Sequence, residues 1–198
     1  MNLKQLPAAC TAQLQIATPL GPMLLARTAK GLAGAWFAGQ KDYPVRIDAP
    51  VAPNDPLLRK TAAELGDYFA GRRKTFDIPL DLYGTPFQRS VWQALLAIDC
   101  GQTSSYGAVA RTIGKPSAVR AVGAAVGANP VAVIVPCHRV MGSDGSLTGY
   151  AGGLPRKIAL LEIEGIAALQ PMRQDVGAAA KPHPMSRVVA AASIDRGP

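Results

Sequence analysis

The chain has 198 residues, 48% of them hydrophobic, and a formal net charge of +8. That is enough for one substantial core or two small ones without metal or disulfide staples, and the pI near 9.7 favours a polyanion, nucleic acid or an anionic membrane surface. Cys10, Cys100 and Cys137 sit at spacings that fit neither a metal site nor a disulfide framework, so free thiols in a reducing, cytoplasmic compartment are expected. Leu6 to Cys10 (LPAAC) has the outline of a lipoprotein cleavage box, but Lys4, Gln5 and Pro7 break the apolar run that a secretory leader needs. The apolar stretch Ala118 to Pro136 is interrupted by Arg120, Asn129 and Pro130, so no membrane span is expected either.

From Ala12 to Ala38, short β-prone runs alternate with the turn clusters TPLGP and AKG, which predicts an antiparallel meander. Asp55 and Pro56 supply a cap and a first-turn proline for a helix carrying Leu58, Ala62, Leu65 and Phe69, stopped by Gly71. Phe76, Ile78, Leu80 and Leu82 alternate with a period of two and predict a further strand. These elements make an α/β unit over residues 1–82.

A second unit, residues 83–165, opens on a capping box, Thr85-Pro86-Phe87-Gln88, ahead of a helix that buries Phe87, Val91, Trp92, Leu95 and Leu96 and ends near Gly101. Tyr106, Val109, Ala110 and Ile113 form a shorter helix capped by Ser104 or Ser105 and closed by Gly114. A third helix runs from Ala118 to the Asn129-Pro130 stop, and the pair has the outline of a helix-turn-helix. Gly123 and Gly127 cost that third helix about 1 kcal/mol each relative to alanine, so close approach of another body, protein or nucleic acid, is the physical reason to seek. GAVARTIGKP fails as a phosphate loop, since Lys115 precedes proline. The run VAVIVP predicts a buried strand leading to Cys137, GSDGS a turn, and Pro155 to Glu164 a last helix. Residues 166–198 form an Ala/Pro-rich tail containing His183, with no sustained periodicity.

The junction IVPCHRV, residues 134–140, sets one of three cysteines beside one of two histidines. A lone cysteine is usually a small core hydrophobe, and a free thiol with a pKa of about 8.5 is only a few per cent thiolate at neutral pH. An adjacent base changes that balance. Side chains of neighbouring residues diverge, so His138 would reach Cys137 through a water, and a third group, with Glu164 the candidate, would orient the imidazole.

These residues resemble a known family. NPVAVIVPCHRV (129–140), followed by GSLTGYAGGLPRKIALLEIEG (145–165), is closely similar to the O6-alkylguanine-DNA alkyltransferases, and the similarity extends back through TPFQRSVWQALLAIDCGQTSSYGAVARTIGKPSAVRAVGAAVG. The resemblance implies an α/β (α+β) fold: an N-terminal ribonuclease-H-like domain with an antiparallel sheet, then a mostly helical winged-helix or helix-turn-helix domain. It implies direct-reversal repair of double-stranded DNA containing O6-alkylguanine, with O4-methylthymine a second candidate, in which the alkyl group passes irreversibly to Cys137 in a single turnover. Within that scheme His138 activates the thiol through a water, Glu164 completes the relay and Asn129 braces the turn. Arg120 fills the space of the flipped base, Tyr106 contacts the flipped nucleotide, and Val135, Cys137, Tyr150 and Ala151 line the pocket through backbone or side chain. Docking would be in the minor groove, unlike the usual major-groove helix-turn-helix.

No cofactor and no metal are expected, because the N-terminal unit has no histidine with which to build the structural zinc site that some family members carry. Nor are there the length and cysteine cluster of the relatives that carry a phosphotriester-repair domain. Ala132 stands where some members have a second proline, which bears on pocket shape. The expected state is a monomer, with cooperative assembly on DNA left open. Three other readings compete: a non-catalytic alkyltransferase-like lesion binder, which would lack the reactive cysteine; a cysteine hydrolase or acyltransferase, which would need an oxyanion motif; and a helix-turn-helix regulator, which would show sequence preference and no transfer.

Overall fold

The computed structural model describes residues 6–44 and 46–167. The tail with His183 lies outside the described residues. The expected meander is present as β1 (Ala12–Ile16), β2 (Met23–Arg27) and β3 (Leu32–Phe37), an antiparallel sheet in the order β1-β2-β3. A short helix, α1 (Leu6–Ala9), precedes it, and Cys10 donates its thiol hydrogen to the Leu6 carbonyl at 3.2 Å. The LPAAC stretch is thus part of the folded unit.

Helix α2 (Pro56–Phe69) begins where expected, with the Asp55 carboxylate accepting from the Leu58 N–H. Its buried face carries Leu58, Thr61, Glu64, Leu65 and Tyr68, rotated from the predicted stripe so that Ala62 and Phe69 are only partly buried. That rotation turns Tyr68 inward. The strand predicted over residues 76–82 does not form. Only Leu80 bridges β3, in parallel with Leu32, through Leu32 N to Pro79 O and Asp81 N to Leu32 O, both 2.8 Å. Pro79 has no N–H to extend the ladder. Gly31 permits this approach, since a Cβ there would lie 2.6 Å from the Pro79 oxygen.

The second unit packs α3 (Pro86–Leu96), α4 (Tyr106–Thr112) and α5 (Val119–Gly127) together. The Thr85 capping box is complete, and Ser105 caps α4. Trp92 is fully buried and donates its indole N–H to the Ala125 carbonyl at 2.8 Å, which ties α3 to α5. Strands β4 (Ser104–Ser105) and β5 (Val140–Met141) pair in parallel, and α6 (Leu154–Ile163) closes the described chain.

The VAVIVP strand is a second correction. Val131 alone bridges Ala35, in parallel, and the chain then folds back so that Val135 N bonds the Val131 carbonyl at 3.0 Å. Val133 takes φ 72, a left-handed conformation costing a β-branched residue about 1–3 kcal/mol. The run is apolar because it is buried, not because it is extended. Both units meet here: Ala35 on the outer edge of β3 donates to the Pro130 carbonyl and accepts from Ala132 N, so the sheet edge fixes the segment that leads to Cys137.

Candidate active site

Asn129 organises the fold-back. Its amide nitrogen donates to the Val135 carbonyl at 2.8 Å, to the Cys137 Sγ at 3.0 Å and, longer, to the Val131 carbonyl at 3.4 Å, while its Oδ1 accepts from Val131 N at 3.0 Å. A single buried amide thereby holds both limbs of the strained turn and the sulfur. Cys137 opens a 3-10 turn, Cys137–Arg139, and is 5% exposed. Burial pushes its thiol pKa up, and the Asn129 hydrogen bond and the Lys157 charge oppose the rise.

His138 is wholly buried, with Nε2 2.8 Å from Glu164 Oε1. Burial raises the carboxyl pKa of Glu164, but the hydrogen bonds from His138 and Arg139 outweigh it and hold the group well below the usual carboxylate range. An ionised carboxylate only accepts, so the proton of this contact sits on His138 Nε2. Burial also pulls the His138 pKa down, against the pull of Glu164, so the ring is neutral and its lone pair lies on Nδ1. That atom is buried and has no protein partner among the described residues. A neutral imidazole with its basic nitrogen uncommitted, one residue from a thiol, is equipped to take a proton through a bridging water.

Arg139 pairs with Glu164 through two contacts, Nε to Oε2 and Nη2 to Oε1, both 2.8 Å. Glu164 sits at the C-cap of α6 and Arg139 at the end of the 3-10 turn, so the pair fastens the helix end to the cysteine turn. Lys157, on the buried face of α6, is 0% exposed and donates to the carbonyls of Val140 at 2.6 Å and Thr148 at 2.8 Å. Desolvation lowers its pKa to about 8, partly opposed by Cys137. Among the described residues it is a buried cation with no carboxylate partner.

The GYAGG loop forms the other wall. The Tyr150 hydroxyl is buried without a protein partner among the described residues, and burial, then the nearby Cys137, drive its pKa well up, so the phenol is a proton donor at any working pH. The Ala151 carbonyl accepts from Lys41 N at 3.0 Å, and Arg156 reaches the carbonyls of Gly152, Leu20 and Ala38, so loops of the first unit hold this wall in place. The Val135 carbonyl faces the same turn, accepting from Asn129 and from Cys137 N.

Arg120 and Tyr106 belong to the helix pair α5 and α4. Arg120 is exposed in the first turn of α5, and Tyr106 opens α4 with its ring against Gly123, where an added Cβ would make only ordinary contact at 3.8 Å. At Gly127 a Cβ would meet nothing within 4 Å, so internal packing does not account for the two glycines. Among the described residues, no three or more His, Cys, Asp or Glu side chains could hold a metal ion, and no helix is long and apolar enough to cross a membrane.

Tyr68, Arg139 and Lys157 were not anticipated from the sequence. A signal for Lys157 was present: Lys157, Leu160, Leu161 and Glu164 follow the i, i+3, i+4, i+7 spacing of one helix face, which places two charges in an apolar stripe. For Tyr68 the only cue was a rotated choice of face on α2.

With this geometry in place, comparison with known proteins defines the class. Residues 86–166 match the family model described as 6-O-methylguanine DNA methyltransferase, DNA binding domain, and residues 15–82 match its ribonuclease-like domain. The chain therefore belongs to the 6-O-methylguanine DNA methyltransferase family. It is 47% identical over 147 residues to a methylated-DNA–protein-cysteine methyltransferase of Mycobacterium leprae, covering 74% of this chain and 88% of that one. A protein of the same description from Methanosarcina barkeri is 48% identical over 149 residues, 75% of this chain and 94% of its own. Among solved structures, that of Mycobacterium tuberculosis OGT in complex with DNA superposes with a TM-score of 0.74 at 46% identity, covering 80% of this chain and 95% of that one.

Proposed function

We propose that this chain repairs duplex DNA by moving the alkyl group of O6-alkylguanine irreversibly to the sulfur of Cys137, once per molecule. The support that carries most weight is the junction of two hydrogen-bond systems at residues 137 and 138: Asn129 on the sulfur, and Glu164 on the Nε2 side of an imidazole whose Nδ1 is uncommitted. In the proposed step His138 Nδ1 takes the thiol proton through a water, and the thiolate attacks the alkyl carbon. The carbon–O6 bond breaks, guanine departs with the electron pair and takes up that proton, and His138 is left neutral. A thioether has no comparable leaving group, so the thiol is not regenerated.

The alkyl carbon is out of reach inside the stack, so the base is flipped, at a cost of a few kcal/mol that is least for a poorly paired lesion. Exposed Arg120 fills the gap in this scheme. Tyr106 contacts the flipped nucleotide. Tyr150 and the Ala151 amide meet the alkylated oxygen, and the small outer face of α5 lies along the DNA. Binding by a monomer rests on phosphate contacts and weakens steeply with salt. O4-methylthymine is the second candidate lesion. A non-catalytic lesion binder is the alternative, and the buried, hydrogen-bonded Cys137 speaks against it.

Titrating a fixed amount of protein with excess duplex bearing one O6-methylguanine tests the stoichiometry. Restored guanine should plateau at one equivalent per chain. Continued turnover would refute the suicide step, and tight binding with no guanine restored would favour the lesion binder.

A further inference from the structure

Tyr68 brings the first unit into the relay. Its ring, 1% exposed, packs against Phe69 and Phe76 with centroids 5.6 and 5.5 Å away, and its hydroxyl donates to Glu164 Oε1 at 2.7 Å. The Tyr68 hydroxyl oxygen itself lies 3.5 Å from His138 Nε2. Glu164 Oε1 therefore collects three donors, from Tyr68, His138 and Arg139, while Oε2 takes Arg139 Nε and Gly101 N.

Charge balance does not require the tyrosine, because Arg139 already meets both carboxylate oxygens. A neutral donor on the oxygen that also faces the imidazole does something else: it withdraws part of the negative charge that His138 experiences. Burial, followed by the Glu164 charge, drives the phenol pKa far up, so the donor is never lost by ionisation.

We infer that Tyr68, from the ribonuclease-like unit, is a positioning residue for alkyl acceptance: its hydrogen bond to Glu164 Oε1 fixes the carboxylate and sets the basicity of His138 toward Cys137. On this view the first unit is chemically part of the active site and not only a scaffold. The inference rests on the thiol-activation scheme proposed above.

The test is Tyr68→Phe, which keeps the ring and removes one donor, followed through the pH dependence of methyl transfer from O6-methylguanine duplex to Cys137 in the full chain. Freed of the tyrosine proton, Glu164 holds the imidazolium more tightly, so the acidic limb of the rate profile should move to higher pH. Transfer should be several-fold slower near about pH 6 and within about twofold of the parent near about pH 8.5. A superimposable profile, a shift to lower pH or a uniform loss at every pH would overturn the inference. The chain has only two histidines, so nitrogen NMR of the labelled variant gives a second readout that survives a loss of stability. The His138 titration should move up, and an unmoved one would contradict the proposal. Failure of the parent chain to transfer methyl would instead bring down the underlying scheme.

Discussion

The amide of Asn129 lies 3.0 Å from the sulfur of Cys137 and 2.8 Å from the carbonyl of Val135, so one side chain both braces the turn and touches the nucleophile. Eight residues separate the two in sequence. They meet because the chain folds back at Val133, in a conformation that this residue type disfavours.

Replacing Asn129 by Ala removes these bonds and leaves Val131 N without its buried acceptor. The expected cost is about 1–3 kcal/mol of stability, with alkylation at neutral pH slowed about tenfold or more as a hydrogen bond to the thiolate is lost. Denaturant unfolding and a single-turnover transfer assay separate the two effects. A variant that unfolds more easily but reacts at the parent rate would deny the side chain its role at the sulfur.

Glu164→Gln leaves the buried Arg139 without its counter-charge and should cost about 3–5 kcal/mol. Transfer should fall by about a hundredfold, the size of effect expected when a proton relay is disabled. Stability has its own pH signature. Because the folded carboxyl pKa is depressed, Glu164 contributes stability that is fully present above the unfolded value of about 4.5 and is lost as pH falls through the folded one. Urea melts between pH 7 and pH 3 should therefore show a smaller pH-dependent loss for the glutamine variant than for the parent. Equal slopes would contradict the assignment.

The three helix caps were legible from the sequence because capping is local: Asp55, Thr85 and Ser105 each bond an amide three residues on. So was the pair Cys137 and His138, through its rarity. The strands expected at residues 76–82 and 131–136 failed for non-local reasons. Pro79 breaks the ladder, and Val131 to Pro136 is apolar because it is buried beside a sheet edge. Period-two or apolar runs cannot report that distinction. Tyr68, supplied by α2, became visible only once that helix was oriented, whereas the spacing of Lys157 on α6 already placed it on the apolar face.

Lys157→Met should keep the helix packed while removing the buried charge. The Cys137 thiol is then harder to ionise, so its alkylation by iodoacetamide, quantified by peptide mapping, should fall at neutral pH. The ammonium itself titrates at about 8. Parent and variant rates should accordingly converge above that pH. A constant ratio across the range would show that Lys157 acts only through the Val140 and Thr148 carbonyls.

Arg120→Ala should leave Cys137 as reactive as in the parent toward iodoacetamide and toward free O6-methylguanine base, because Arg120 is exposed on α5 and, among the described residues, shares no hydrogen bond with Cys137, His138 or Glu164. Repair of the same lesion in duplex should slow by about tenfold or more, reflecting a few kcal/mol of unstacking no longer offset. Equal losses on base and duplex would remove Arg120 from flipping.

The most direct test of the central proposal is intact and peptide mass spectrometry after mixing the protein with a duplex containing one O6-methylguanine, beside a Cys137→Ser control. The prediction is a single added methyl group mapped to Cys137, absent from the control, with unmodified guanine restored in the duplex. An unchanged protein mass with the lesion still present, or a methyl group mapped to Cys10 or Cys100, would contradict it.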